Sequence, residues 1–330
     1  MKACWYERTG APRDVLTLGE MPTPEPGPGE VRVKIAVTAV NPSDTKARSG
    51  WRGRGMAFPR IVPHQDGAGV VDRVGVEVDP RRVGERVWIY MAQRGRPFGT
   101  AAEFTVVPQA RAVPLPDRAS FEEGACLGIP AMTAHRAVHA DGDIAGKVVL
   151  VQGGAGAVGF YAIQLAKLGG ARTVIATVSR DEQATKAKLA GADHVVNYRS
   201  AAVPDQVAAL LGAESGVDRV VEVAFGKNLE DDVAMLRANG VIASYSSDEV
   251  PEPKIPFAAM LMKDLTARFV LIYEVPDVAR HDAARDINRL IEAGKLEHQI
   301  AEVLAFEQIA LAHQRMEEGR TIGKLLMRVS

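Results

Sequence analysis

Apolar and polar positions alternate first over Val31-Arg32-Val33-Lys34-Ile35-Ala36-Val37, a period of two that predicts a half-buried strand. Pro22, Pro24, Pro26 and Pro28 stand ahead of it and mark a loop, because proline cannot donate to a strand ladder. Further short strands are expected at 69–74, 85–90 and 102–107, punctuated by Gly75, Gly84, Gly95 and Gly99. Residues 1–120 thus read as a small β barrel or sandwich. Beyond about 120 the pattern becomes strands alternating with amphipathic helices, which implies a parallel sheet. Strands are expected at 148–152, 173–178, 195–196, 218–223 and 240–244, and a last one at 268–273. Between them helices are expected up to about 168, over 181–190, over 203–211 and near 228–237. The tail predicts helices near 277–293 and 306–318 and a closing strand at 323–329. No internal repeat or low-complexity segment interrupts this α/β order.

A chain of 330 residues is too long for one ordinary core, so two domains are expected. Hydrophobic residues at 47% and charged residues at 25% describe a globular protein rather than a disordered one. The net charge of −1 gives no electrostatic reason to expect nucleic acid or an anionic membrane. Two cysteines, Cys4 and Cys126, build neither a disulfide framework nor a four-cysteine zinc lobe. The opening residues lack the apolar core of a signal peptide, and no apolar run approaches a membrane span. A cytoplasmic protein is the expectation.

The densest chemistry lies in Val151-Gln152-Gly153-Gly154-Ala155-Gly156-Ala157-Val158-Gly159, between an expected strand and an expected helix. Gly154, Gly156 and Gly159 fit G-x-G-x-x-G in the strand–turn–helix context that a dinucleotide fold requires. Gly154 is expected to take the tight turn, Gly156 to let amides approach a pyrophosphate, and Gly159 to let helix pack on strand. Ala155, Ala157 and Val158 complete the candidate loop. An NAD fold places an Asp or Glu at the tip of the second strand to hold the ribose. Here that tip reads Val178-Ser179-Arg180, a hydroxyl and a guanidinium suited to a 2′-phosphate, so NADP(H) is the expected cofactor. Ser179 with Glu182 also reads as a capping box for the next helix, which leaves Arg180 free.

The chain resembles the zinc-independent medium-chain dehydrogenase/reductases, specifically the NADPH:quinone oxidoreductase (zeta-crystallin-like) group. The resemblance rests on Val40-Asn41-Pro42-Ser43-Asp44-Thr45-Lys46, Asp66-Gly67-Ala68-Gly69-Val70-Val71 and Val83-Gly84-Glu85-Arg86-Val87. It continues through Gly128-Ile129-Pro130-Ala131-Met132-Thr133-Ala134, the glycine loop, Gly191-Ala192-Asp193-His194-Val195-Val196-Asn197-Tyr198 and Gly319-Arg320-Thr321-Ile322-Gly323-Lys324. It implies a GroES-like substrate domain from 1–122 and 267–330, a doubly wound Rossmann domain from 123–266, and an active cleft between them. It also implies a nicotinamide near Asn41, Gln65, Thr133, Val270 and Leu271, and an adenosine phosphate near Ser179, Arg180 and Tyr198. Gln183 stands where some relatives carry a lysine, so the 2′-phosphate grip falls on Arg180, with Lys324 as an assistant. A homodimer through the edges of the Rossmann sheets is the implied assembly.

Zinc-dependent members of the superfamily hold metal through Cys and His where Asn41 and Gln65 stand here, and neutral amides are poor zinc ligands. His135 and His139 have helical spacing, but Arg136 occupies the place of a metalloprotease glutamate, so no metal is expected. Cys126, in Ala125-Cys126-Leu127, reads as a buried hydrophobe. Asp44, three residues from Asn41, reads either as a cleft-facing catalytic group or as a scaffold carboxylate. Trp51, Met56 and Phe58 read as a lid over a planar substrate or as loop packing. The expected activity is NADPH-dependent hydride transfer to a quinone, with Asn41, Asp44 and Gln65 as the polar groups at the reacting end. A reductase of enoyl or 2-alkenal substrates shares that geometry. A non-catalytic NADPH-binding structural or RNA-binding protein is the remote alternative.

Overall fold

The computed structural model describes residues 1–212 and 216–329. It divides into two compact units, Met1–Ile129 with the segment from Ala284 onward, and Pro130–Ala283. Both boundaries lie later than the expected 122/123 and 266/267. The helix Phe121–Ala125 packs on the first unit's strands, where a Cβ on Gly124 would sit 3.0 Å from Ala68 and Leu115. The strand Thr266–Phe269 pairs with the second unit's sheet, so a cut after Thr266 would sever it.

The first unit is built on a seven-stranded sheet. Its order is Ile300–Ala305, Lys324–Arg328, Glu30–Ala39, Asp66–Val74, Arg86–Ile89, Ala112–Pro114, with Phe104–Pro108 also on Glu30–Ala39. The central strand owes its place to Val31, Val33, Ile35, Val37 and Ala39, all fully buried. Its antiparallel partner Asp66–Val74 is bulged, and at Gly69 a Cβ would lie 2.0 Å from the Lys34 carbonyl, so only glycine allows that approach. The closing strand pairs Leu326 with Ala39 and Met327 with Thr38, a register that sets Lys324 opposite Asn41. The strand Ile300–Ala305 was not expected. Its exposures do not alternate, and it is held by parallel pairing to Lys324–Arg328 rather than by a buried face.

The second unit carries a six-stranded all-parallel sheet. In chain order its strands are β1 (Val148–Val151), β2 (Thr173–Val178), β3 (His194–Asn197), β4 (Val217–Glu222), β5 (Leu236–Ser244) and β6 (Thr266–Phe269). Their spatial order is β3-β2-β1-β4-β5-β6, the doubly wound arrangement with its switch point between β1 and β4. All four residues of β1 are buried, as a strand covered on both faces must be. Helices α1 (Ala157–Leu168), α2 (Asp181–Leu189), α3 (Val203–Leu211) and α4 (Phe225–Met235) supply the crossovers. The expected strand at 268–273 ends at Phe269 and gives way to a 3₁₀ turn, Ile272–Glu274. The helix expected near 228–237 starts and stops earlier, because Leu236 already belongs to β5.

Candidate active site

The glycine loop is a turn whose first amides are tied down and whose last ones are not. Gly153, not Gly154, takes the left-handed conformation, with φ +67°. Its amide donates to Thr177 Oγ1 at 2.9 Å, and the Gly154 amide donates to the Thr177 carbonyl at 3.0 Å. Gly154 is needed for packing instead: a Cβ there would stand 2.6 Å from the Ala176 side chain. A Cβ on Gly159 would come within 2.4 Å of the Gly153 carbonyl, so helix α1 seats directly on the turn. Gly156 caps that helix, leaving the Ala157, Val158 and Gly159 amides as first-turn donors with no intrahelical acceptor. Such a cradle fits the pyrophosphate of a dinucleotide.

Ser179, Arg180, Tyr198, Val270 and Leu271 all follow the carboxyl ends of β2, β3 and β6, the edge at which open parallel sheets bind ligands. The Tyr198 amide donates to the Val178 carbonyl at 3.1 Å, which brings it beside the β2 tip. Ser179 donates through both its amide, 2.8 Å, and its hydroxyl, 2.9 Å, to Gln183 Oε1. The Ser179–Glu182 capping box is therefore not formed; Gln183 takes that role. Arg180 occupies the N-cap position of α2, exposed, and its side chain makes no hydrogen bond or ion pair among the described residues. Val270 is buried and tied by its amide to Ser244 O at 2.7 Å, whereas Leu271 is exposed. Thr133 is buried in the helix Gly128–His139.

In the first unit Asn41, Asp44 and Lys324 come together with Asp66. Asn41 Nδ2 donates to Asp66 Oδ2 at 2.8 Å, and Asn41 Oδ1 accepts from Lys324 Nζ at 2.6 Å. Lys324 also reaches Asp66 Oδ2 at 3.3 Å and the Val40 carbonyl at 3.3 Å. Asp44 accepts the Asn41 amide at 2.7 Å, and Asp66 accepts the Ile129 amide at 2.9 Å. Burial and the neighbouring Asp66 charge push the Asp44 carboxyl up to about 7, and burial raises Asp66 as well. Lys324 is thus a buried counter-ion, its side chain 3% exposed, and it cannot assist a solvent-facing 2′-phosphate as expected. Gln65 does not join the cluster; its carboxamide pairs with Gln93 at 3.2 Å. Asp66, the hub of these contacts, was legible only as part of a motif.

The remaining candidates resolve as scaffold. Met56 and Phe58 pack against Tyr6, Val15 and Ile61, and Trp51 lies under Arg52 and Lys46 at 4.0 and 4.8 Å, so these residues are loop packing. Burial pushes the Cys126 thiol up to about 12, which makes it an inert hydrophobe. His135 and His139 lie against each other with ring centroids 4.8 Å apart. Buried His64 shares hydrogen bonds with Thr38 at 2.8 Å and His313 at 2.9 Å. Among the described residues no group of three or more His, Cys, Asp or Glu is arranged to hold a metal.

Known proteins resemble this chain over most of its length. The alcohol dehydrogenase GroES-like domain family matches residues 27–117, and the zinc-binding dehydrogenase family matches residues 157–290. Quinone oxidoreductase of Mus musculus is 33% identical over 242 residues, 73% of this chain and 71% of that protein. A crystal structure described as an NAD-dependent alcohol dehydrogenase superposes with TM-score 0.89 at 32% identity, covering 100% of both chains. The quinone oxidoreductase of Thermus thermophilus, also solved with NADPH, superposes with TM-score 0.84 at 26% identity, again over 100% of both chains.

Proposed function

The chain belongs to the quinone oxidoreductase branch of the medium-chain dehydrogenase/reductase family, and we propose on that premise that it is an NADPH-dependent reductase of quinones. The observation that carries the cofactor is the β2 tip, where an unpaired Arg180 stands in place of a ribose-binding acid beside a loop of free helix-terminal amides. When bound, NADPH supplies a hydride from its nicotinamide ring. The loop amides hold its pyrophosphate, and Arg180 holds the 2′-phosphate. Thr133, Val270, Leu271, Ser179 and Tyr198 are the proposed flanking contacts. A quinone that accepts one hydride and one proton becomes a hydroquinone. Asp44, poised near neutrality, is the proposed proton reserve, and Asn41 positions it through its amide.

We read the chemistry as zinc-independent. The two positions that carry Cys and His in metal-binding relatives hold amides, and Asn41 is already engaged between Asp66 and the Lys324 cation. A cytoplasmic location accords with two free, buried thiols, and no helix of the described residues is long and apolar enough to cross a membrane. A homodimer is proposed because β6 ends the parallel sheet with an edge that no strand of the described residues pairs, flanked by exposed Phe257, Leu261, Met262 and Phe269. The test is NADPH oxidation by chelator-dialysed protein with ortho-quinones, para-quinones, 2-alkenals and enoyl thioesters. Turnover is expected with quinones at full rate without added zinc. Turnover of only alkenals or enoyl thioesters would assign the sister activity, and restoration by zinc would overturn the metal-free reading.

A further inference from the structure

The loop between β1 and α1 is braced by a chain of buried side chains that hydride transfer does not itself need. Gly153 N–H donates to Thr177 Oγ1 at 2.9 Å, the Thr177 hydroxyl donates to Gln152 Oε1 at 2.8 Å, and Gln152 Nε2 donates to Asp232 Oδ1 at 2.9 Å. With Gln152 Oε1, an acceptor only, facing Thr177, the hydroxyl accepts the Gly153 amide and gives its one hydrogen to Gln152. The chain ends on two neighbouring carboxyls, Asp232 from α4 and Glu222 from the end of β4, both fully buried and each bearing on the other's titration. Glu222 accepts the Ala224 amide and, at 3.2 Å on each oxygen, Asn228 Nδ2. Among the described residues Asp232 Oδ2 has no hydrogen-bond partner, and the donors to the two carboxyls are the neutral Gln152, Asn228 and backbone amides, with no Lys, Arg or His. Two ionised carboxylates cannot sit in contact there without a counter-ion.

We propose that Glu222 and Asp232 share one proton, and that this singly charged pair, acting through Gln152 and Thr177, positions the Gly153 amide of the phosphate loop. Asp232 Oδ2 carries the proton to Glu222, which supplies the missing partner. All four side chains sit at the carboxyl ends of β1, β2 and β4 or face them from α4, directly under the switch point. The charged and titratable groups facing the pair are Asp231 on α4 and Tyr245 beyond β5. The Tyr245 phenol is pushed up by burial and by the Glu222 charge. Burial and mutual repulsion hold the proton on, so alkali removes it. The second charge then drives the carboxyls apart and releases Gln152.

The inference rests on the reading of this loop as the NADPH site. The experiment is a titration of NADPH onto unaltered protein, D232N, E222Q and T177V between pH 6.5 and 9.5. In D232N the amide oxygen accepts from Gln152 and the amide nitrogen donates to Glu222, with no proton left to lose. Unaltered protein is expected to lose roughly tenfold in affinity over the alkaline half of that range, the scale of one hydrogen bond weakened in the loop. D232N is expected to track unaltered protein at neutral pH and to stay flat in alkali. T177V is expected to bind roughly tenfold more weakly at every pH, having lost the Gly153 acceptor. A flat profile for unaltered protein, or an alkaline loss equally steep in D232N, overturns the inference, and E222Q gives the same comparison should D232N not fold. Failure of the unaltered protein to bind NADPH at any pH overturns the cofactor reading itself, a result distinct from binding with a flat profile.

Discussion

Asp44 shows how burial beside a second carboxylate, Asp66, creates a titrating group in the middle of the pH range. Its carboxyl is raised from 3.8 to about 7, so between those values the folded chain holds a proton that the unfolded chain releases. The stability this contributes is fully present below about pH 4 and is lost as pH rises through 7. Asp44→Asn removes the titration while keeping an oxygen to accept the Asn41 amide. Urea unfolding at pH 5 and pH 8 is therefore expected to show unaltered protein losing stability across that interval relative to the variant; equal changes in both would mean that Asp44 is already ionised at pH 5. The role of Lys324 was not legible in the sequence for a related reason. Its partners Asn41 and Asp66 lie some 260 to 280 positions away, and only the pairing of the closing strand with Glu30–Ala39 brings them together. The place of Arg180 was legible because it needs nothing beyond the end of a strand and an adjacent loop.

At the scale of elements, β1 and most of β2 announce themselves as apolar runs, since both faces of a parallel sheet are covered. Their ends were less legible where side chains rather than periodicity decide. The turn falls on Gly153 because Thr177, 24 residues later, offers both its hydroxyl and its carbonyl to successive amides. The spacing of glycines alone points to Gly154. The edge strand β6 carries its own prediction. Val270 N–H points inward to Ser244, so by alternation the Ala267 and Phe269 amides point outward from the sheet. Ala267→Pro deletes one outward donor and leaves the inward ladder to β5 intact. Sedimentation of this variant is expected to show monomer where unaltered protein shows dimer; an unchanged dimer would place the interface elsewhere.

Across the whole molecule, two units of different construction come from one chain, and each holds one half of the proposed chemistry. The mainly antiparallel unit gathers the buried ionisable groups Asp44, Asp66 and Lys324 around Asn41, and the parallel unit presents free amides and a free guanidinium at its strand ends. Length, composition and the change of hydrophobic period near residue 120 foretold that division, although its boundaries followed packing, with Phe121–Ala125 staying on the first sheet and β6 on the second. The proposed reductant is a phosphorylated dinucleotide, and every role assigned to the strand-end loops follows from it. The most direct measurement is kcat/KM for NADPH and for NADH, with a para-quinone as acceptor, in unaltered protein and in Arg180→Ala. Loss of a charge-assisted phosphate contact is expected to lower kcat/KM for NADPH by roughly ten- to a hundredfold while leaving NADH within about twofold. An equal fall for both cofactors, or a preference for NADH in the unaltered protein, would contradict it.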